Sequence, residues 1–239
     1  MTSSPTGWQL PDGVAGRPVA VVYSDDSTGP SDGDDTGAMA TMLAATRWNF
    51  EVTTAGPNGT MSVREALARP EVRLYAQPGA DGDDDAAFRR QRRDKSAIRE
   101  FVARGGRYLG ICMGGFLAEP GFFNIFPGRV DEYYSSKGAS VTTDDPALIP
   151  ILWRGTRREM YFQDGGFMVP KRKATGIDVL ARYTNGSIAA LVAPYGDGRV
   201  GLCGPHPEAP PAWYRDADLD YPGPTQDLGE DLVDTLMAD

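Results

Sequence analysis

Apolar runs that alternate with helical segments are the feature that most constrains the fold of this 239-residue chain. Val19 to Tyr23, Glu51 to Ala55 and Leu74 to Gln77 have the length and composition of short strands. The first of them is apolar throughout, as expected for a strand that is buried on both faces. Helical patterns over Gly37 to Trp48 and over Ser62 to Arg69 separate these strands, and Ser62 with Glu65 has the pattern of a capping box. A long helix is expected after the third strand, ending at about Arg104. The alternation predicts a parallel sheet with helices on both faces.

The pattern changes in the C-terminal half. Short alternating stretches from Asn124 to Tyr183, separated by turns, are typical of antiparallel strands. A hairpin is predicted around Tyr195-Gly-Asp-Gly198, then a proline-rich loop from Pro210 to Pro224 and a closing helix from Gln226 to Met237. Together, the patterns of the two halves predict an α/β fold of the flavodoxin-like kind. It has a mostly parallel central sheet with helices on both faces and an antiparallel β-rich section in the C-terminal half.

Composition limits the functional class. The formal net charge of −9 argues against nucleic acid as a partner, and Arg89 to Arg93 is interpreted as a solvated helix face. No apolar stretch has the length of a membrane span. Residues 1–17 are expected to form a loose tail, followed by one domain at residues 18–239. The tail lacks the features of a signal peptide. A content of two cysteines is too small for a disulfide framework and is typical of a protein in a reducing compartment. We therefore expect a cytoplasmic protein without a membrane partner. The sequence is compatible with a homodimer.

Cys112 stands in the sequence Gly110-Ile-Cys-Met-Gly114, between a predicted strand and a predicted helix. This Gly-x-nucleophile-x-Gly spacing is typical of a nucleophile elbow, in which a strained residue is flanked by small ones. The N–H of Met113 would then be available to an oxyanion. The alternative is a buried, inert cysteine, because free cysteine is among the most buried residue types.

The chain has a single histidine, His206, which follows a predicted strand. In an extended segment, residues two apart point the same way, so Glu208 can accept the imidazole N–H. A thiol, an imidazole and an orienting acid are the parts of a nucleophilic cysteine system. We therefore interpret Cys112, His206 and Glu208 as catalytic, and Cys203 as a core residue.

Gly110-Ile-Cys-Met-Gly114 and His206-Pro-Glu208 together resemble the class I glutamine amidotransferase family, whose members carry a Cys-His-Glu triad in these contexts. Gln77-Pro78-Gly79 resembles the family's oxyanion strand. The resemblance implies that the N–H of Gly79 or Ala80 joins that of Met113 in an oxyanion hole.

Phe116 departs from this family, because true glutaminases usually carry glutamine four residues after the cysteine. The resemblance therefore does not imply glutamine as the substrate. The amino-acid sequence around Cys112 and the segment Tyr161 to Gly166 are more similar to the biotin-protein ligase N-terminal-like branch of the superfamily. Phe116, Gln163 and Asp164 are accordingly predicted to contact the substrate.

Acidic residues crowd the loops that should meet Cys112 at one edge of the sheet. They are Asp25, Asp26, Asp32, Asp34, Asp35, Asp81, Asp83, Asp84 and Asp85. A negative rim attracts cations, so a small-molecule substrate or acceptor with an amine is expected, with Asp25 and Asp26 in contact with it. Helix capping is the alternative for Asp34, Asp35, Asp83 and Asp84. No metal and no cofactor are predicted, since the spacings do not complete an EF-hand loop.

These observations predict a cysteine-dependent acyl-transfer enzyme that acts on an amide, ester or peptide-like substrate through a thioester at Cys112. The alternative is a non-catalytic binding or regulatory module that uses the acidic cleft to hold a cationic ligand.

Overall fold

The computed structural model describes residues 16–25, 34–80 and 82–238. Over these residues, eleven strands join in one sheet that is accompanied by seven helices. The strands are β1 (Val19–Tyr23), β2 (Glu51–Ala55), β3 (Val72–Gln77), β4 (Arg107–Ile111), β5 (Gly128–Glu132), β6 (Ala147–Trp153), β7 (Thr156–Phe162), β8 (Gly166–Pro170), β9 (Asp178–Tyr183), β10 (Ile188–Tyr195) and β11 (Gly198–Cys203). The helices are α1 (Asp35–Ala45), α2 (Val63–Leu67), α3 (Asp84–Gln91), α4 (Lys95–Ala103), α5 (Met113–Leu117), α6 (Pro211–Asp216) and α7 (Gln226–Met237).

The sheet has a parallel part and an antiparallel part. Its strand order is β2-β1-β3-β4-β11-β10-β9-β6-β7, and every pairing from β2 to β11 is parallel. From β11 onward the pairs are antiparallel, and β5 pairs with β8, which adjoins β10. The predicted fold class is therefore confirmed, including the change from parallel to antiparallel pairing in the C-terminal half.

Helices cover both faces of the parallel part because its strands are apolar on both sides. Ala20 and Val22 of β1 belong to one core cluster, with residues of α1 and α7. Val19, Val21 and Tyr23 belong to the other, with residues of α2, α3, α4 and α5. Strand β1 is thus buried along its whole length, as its unbroken apolar sequence predicts.

Several local predictions are confirmed by the caps and turns. Ser62 and Glu65 form the reciprocal hydrogen bonds of a capping box at the start of α2. Asp34 caps α1 and Asp83 caps α3, each through its side chain. The hairpin of β10 and β11 turns at residues 196–197.

Three boundaries differ from the sequence prediction. Helix α1 covers Asp35–Ala45 instead of Gly37 to Trp48. The long helix expected to run to about Arg104 is interrupted by a turn at residues 92–94, where no proline or glycine signals a break. The segment from Pro210 to Pro224, expected to be loop, contains α6, in which Pro211 takes the first position and so loses no helical hydrogen bond.

Parallel pairing brings the ends of β1, β3, β4 and β11 to one edge of the sheet, where the loops that carry the candidate residues meet. The expected loose tail lies largely outside the described residues, as does most of the acidic loop after β1, including Asp26 and Asp32. None of the helices described combines the length and the apolar character needed to cross a bilayer.

Candidate active site

Cys112 occupies a strained turn between β4 and α5. Its φ is 51° and its ψ is −112°, a backbone conformation that costs a non-glycine residue about 1–3 kcal/mol. The turn is fixed on both sides, because Cys112 N donates to Cys203 O at 2.9 Å and Gly115 N donates to Cys112 O at 2.8 Å. This strand, sharp turn and helix, which we call the elbow, have the local geometry that the glycine spacing predicts.

The two flanking glycines let the elbow pack against its surroundings. A Cβ on Gly110 would lie 2.3 Å from Gly114 O, and a Cβ on Gly114 would lie 2.1 Å from Gln77 O. The buried Tyr108 hydroxyl also donates to Gly114 O at 2.7 Å. Larger residues at either position would force the backbone apart, so the glycine spacing is a packing requirement of the turn.

His206 is fixed by backbone and side-chain contacts just after β11. His206 N donates to Tyr161 O at 2.9 Å, and His206 Nδ1 lies 2.9 Å from Glu208 Oε1. Both side chains are almost completely inaccessible. Thr225 Oγ1 donates to Pro207 O at 3.0 Å, which holds the segment between the two residues. The predicted pair is brought together across a turn, in which Ala209 N donates to His206 O at 3.3 Å, and not along the extended segment from which the pairing was inferred.

The Cys112 thiol does not hydrogen-bond to His206 in this structure. Sγ lies 3.4 Å from Gln163 O, to which the thiol donates, whereas the buried His206 Nε2 has no hydrogen-bond partner among the residues described. The thiol nevertheless lies close enough to the imidazole to influence the pKa of His206. Burial lowers the pKa of His206, but the Glu208 carboxylate and the Cys112 thiol outweigh it, so that this pKa is raised well above its usual value.

One cavity of about 200 Å³ collects most of the predicted site residues. It is lined by Asp35, Gly79, Ala80, Gly82, Cys112, Met113, Phe116, Asp144, Gln163, Asp164 and His206. Glu208 lies behind His206. Asp25 is not in the lining and forms an ion pair with Arg90 at 2.8 Å, and Asp26 lies outside the described residues. The nucleophile and histidine candidates therefore face one cavity together with the expected oxyanion residues.

The mouth of the cavity is acidic on the side of Asp164. Burial raises the pKa of Asp164 to about 6, and the neighbouring carboxylates of Asp144, Glu132 and Asp84 contribute. Asp164 N also donates to Asp144 O at 3.1 Å, which ties the two loops together. Of the capping alternatives, Asp34 and Asp83 are helix caps, whereas Asp35 lines the cavity.

Asp35, His206 and Glu208 are also a group that could hold a metal ion. Each offers one potential ligand atom, and these atoms lie within 4.8 Å of one another. Because Glu208 Oε1 already pairs with His206 Nδ1, binding a metal there would displace the carboxylate from the imidazole. The same geometry suits an oriented imidazole, whose charged form the carboxylate stabilises once a proton is accepted.

A Glu208→Gln substitution is expected to lower the pKa of His206, because the neutral amide no longer stabilises the imidazolium. His206 is the single histidine, so one imidazole signal in an NMR titration reports it. Glu159→Gln, on an exposed position of β7, is the matched control. An unchanged His206 pKa in Glu208→Gln would contradict the pairing.

The same substitution should change stability in a pH-dependent way. The pKa of His206 is higher in the folded chain than the usual value of about 6.5, so the pair stabilises the fold below pH 6.5. This contribution is lost as the pH rises through the folded-state pKa. Urea unfolding should therefore show the largest difference between wild type and Glu208→Gln at acidic pH and a smaller one at alkaline pH.

Sequence reasoning missed Asp144, Tyr161 and Trp213. Asp144 reaches the cavity from a turn between β5 and β6, and Tyr161 and Trp213 contact His206 with ring centroids 5.8 and 5.4 Å away. Trp213 lies on α6, within the segment expected to be loop. A tryptophan among prolines, soon after the single histidine, was the available signal.

Comparisons with known proteins agree with this fold. Residues 124–235 match the family model described as "Biotin-protein ligase, N terminal", a segment that contains His206 and Glu208 but not Cys112. The biotin–protein ligase of Schizosaccharomyces pombe is 27% identical over an alignment that covers 46% of this chain and 22% of the relative. The matched region thus spans about a fifth of that relative's length.

Two solved structures are similar over most of the chain. A glutamine amidotransferase from Thermotoga maritima matches with a TM-score of 0.58 and 14% identity, covering 94% of this chain and all of that one. A glutamine amidotransferase from Methylobacillus flagellatus matches with a TM-score of 0.54 and 15% identity, covering 84% and 74%. Identity this low shows a shared fold alone. The expected resemblance to the biotin-protein ligase N-terminal branch and to the class I amidotransferase-like fold is confirmed.

Proposed function

We propose that the chain is a cysteine-dependent acyl-transfer enzyme that acts on a small amide, ester or peptide-like substrate through a thioester at Cys112. The observation that carries the proposal is the strained Cys112 turn, which faces the same cavity as a buried His206 paired with a buried Glu208. Strain of this kind persists only where the surroundings enforce it and is concentrated at functional sites.

The proposed reaction begins when the Cys112 thiol turns from Gln163 O to His206 Nε2 and transfers its proton. Sγ then bonds to the substrate carbonyl carbon, and the oxyanion accepts hydrogen bonds from the N–H groups of Met113 and of Gly79 or Ala80. The bond to the leaving group breaks as His206 donates the proton to it. Water or an amine attacks the resulting thioester, with His206 as the base. Glu208 keeps the imidazole oriented throughout.

The proposal is tested by treating the intact chain with iodoacetamide at neutral pH and locating the label by mass spectrometry. Cys112 is expected to react and Cys203 to stay unmodified, because Cys203 is completely buried and its burial raises its thiol pKa well above the ordinary value. Selective modification of Cys203, with Cys112 inert, would overturn the proposal.

A non-catalytic binding module is the second candidate, favoured by the thiol's hydrogen bond to Gln163 O in place of His206. A Cys112→Ser substitution separates the two functions. In a binding module, this substitution should leave the affinity for the ligand unchanged. An enzyme found by screening small amides, esters and peptides should lose turnover in Cys112→Ser and keep it in Cys203→Ala.

A further inference from the structure

A second cavity adjoins the one that contains Cys112. It has a volume of about 310 Å³ and is lined by Asp35, Pro146, Tyr161, Gln163, His206, Trp213, Asp216 and Ala217. The two cavities share Asp35, Gln163 and His206. We call this second cavity the aromatic lobe. A substrate bound at Cys112 can therefore extend past His206 into the aromatic lobe.

Two aromatic rings form one wall of the aromatic lobe. The Tyr161 and Trp213 ring centroids are 5.4 Å apart, and each ring also contacts His206. Tyr161 is held from both ends, since its hydroxyl donates to Gln163 Oε1 at 3.1 Å and its backbone N donates to the buried Tyr214 hydroxyl at 3.0 Å. The wall is thus rigid on the Tyr161 side, whereas Trp213 is partly exposed.

The net charge around the aromatic lobe is negative, because the Glu208 carboxylate lies 2.9 Å from His206 Nδ1 and offsets any positive charge on that imidazole. Asp35 and Asp216 are the acidic residues of its lining, and among the residues described no lysine or arginine lines it. Arg215 lies 3.1 Å from Asp216, but this pair is exposed and therefore weak. Aromatic rings beside carboxylates attract a cation by both ring quadrupole and charge. His206 Nε2, buried and without a hydrogen-bond partner among the described residues, is at the junction of the two cavities.

We propose that the aromatic lobe binds an ammonium group on the amine half of the substrate, so that the enzyme acts on amides of a diamine or of another amine that carries a second cationic group. This inference rests on the proposed acyl transfer at Cys112. In acylation the carbonyl–nitrogen bond breaks, the sulfur–carbon bond forms, and the thiol proton passes through His206 to the leaving nitrogen. In transfer to an amine these changes are reversed. The distal ammonium stays in the aromatic lobe while the reacting nitrogen, which must be neutral to attack, faces His206.

The test measures binding to the full chain with Cys112→Ser, which removes turnover from the readout. Calorimetric titration compares pentylammonium and tetramethylammonium with the neutral 1-pentanol. Both cations are expected to bind, and 1-pentanol at least about tenfold more weakly. Equal binding of 1-pentanol and the cations would overturn the inference.

Substitutions in the lining locate the bound cation. Trp213→Ala is expected to weaken cation binding by about 3- to 30-fold, while Trp213→Phe keeps an aromatic ring and most of the affinity. Asp216→Asn should weaken it by about fivefold, and Asp220→Asn, an exposed acid of the same segment that does not line the lobe, should leave it unchanged. Unchanged affinity in a folded Trp213→Ala protein would overturn the assignment.

The two proposals fail in different ways. If iodoacetamide does not modify Cys112 but the cations bind with the expected dependence on Trp213, acyl transfer is wrong, and the lobe is a cation site of a binding module. If Cys112 is modified but binding does not depend on charge or on Trp213, the substrate class is wrong and the acyl-transfer proposal stands.

Discussion

Replacing His206 with alanine is expected to slow the alkylation of Cys112 by iodoacetamide by about 100-fold or more at neutral pH. The proposed reaction needs the imidazole to accept the thiol proton, and the raised pKa of His206 means that the imidazolium is stable beside the thiolate. Without it, Cys112 keeps its proton and its hydrogen bond to Gln163 O. The measurement is the rate of label incorporation at Cys112, followed by mass spectrometry.

The pH dependence of the alkylation rate distinguishes the loss of the general base from a distortion of the site. At strongly alkaline pH a thiol ionises without help, so the alkylation rates of wild type and His206→Ala should converge there. A rate that stays low at all pH values would indicate a collapsed cavity, which thermal unfolding and the milder His206→Gln variant would reveal. Equal rates at neutral pH in the two proteins would show that His206 is not the base of Cys112.

The sequence predicted the elements whose signals are local. The apolar run at Val19–Tyr23 and the capping box at Ser62 and Glu65 each depend on residues within one turn or strand, so each could be inferred without the fold. The Cys112 turn is similar, because the glycines that permit it stand two residues away on either side. His206 and Glu208 were identifiable as a pair because residues two apart can share one face of an extended segment, although the structure joins them across a turn.

What sequence reasoning missed depends on contacts between distant segments. Asp144 reaches the cavity because its loop is tied to Asp164 by a backbone hydrogen bond. Trp213 contacts His206 because α6 packs through the buried Tyr214 against Tyr161. The hydrogen bond from the Cys112 thiol to Gln163 O also joins segments far apart in the chain. No local pattern signals such contacts, which decide how the cavity is shaped and what it can bind.

The elbow itself gives the largest expected effect on stability. Gly114→Ala should lower the free energy of unfolding by about 3 kcal/mol, because the new Cβ would lie 2.1 Å from Gln77 O and 3.0 Å from the Cβ of Gln77. Gln77 is the last residue of β3 and pairs directly with Gly110 of β4, while the preceding Ala76 pairs with Val22 of β1, so Gln77 cannot withdraw without disturbing the sheet. Urea denaturation measures the difference.

Gly115→Ala is the matched control, one residue further along the same short helix. A Cβ there would meet nothing closer than Cys203 O at 4.0 Å, so stability should be unchanged or rise by up to about 1 kcal/mol, as expected for alanine in place of glycine in a helix. Gly114→Ala should also slow the alkylation of Cys112, since moving Gln77 displaces the following Gly79 and Ala80 that line the cavity. If Gly114→Ala were as stable and as reactive as Gly115→Ala, the elbow would not depend on close packing against β3, and the strain at Cys112 would lose its structural explanation.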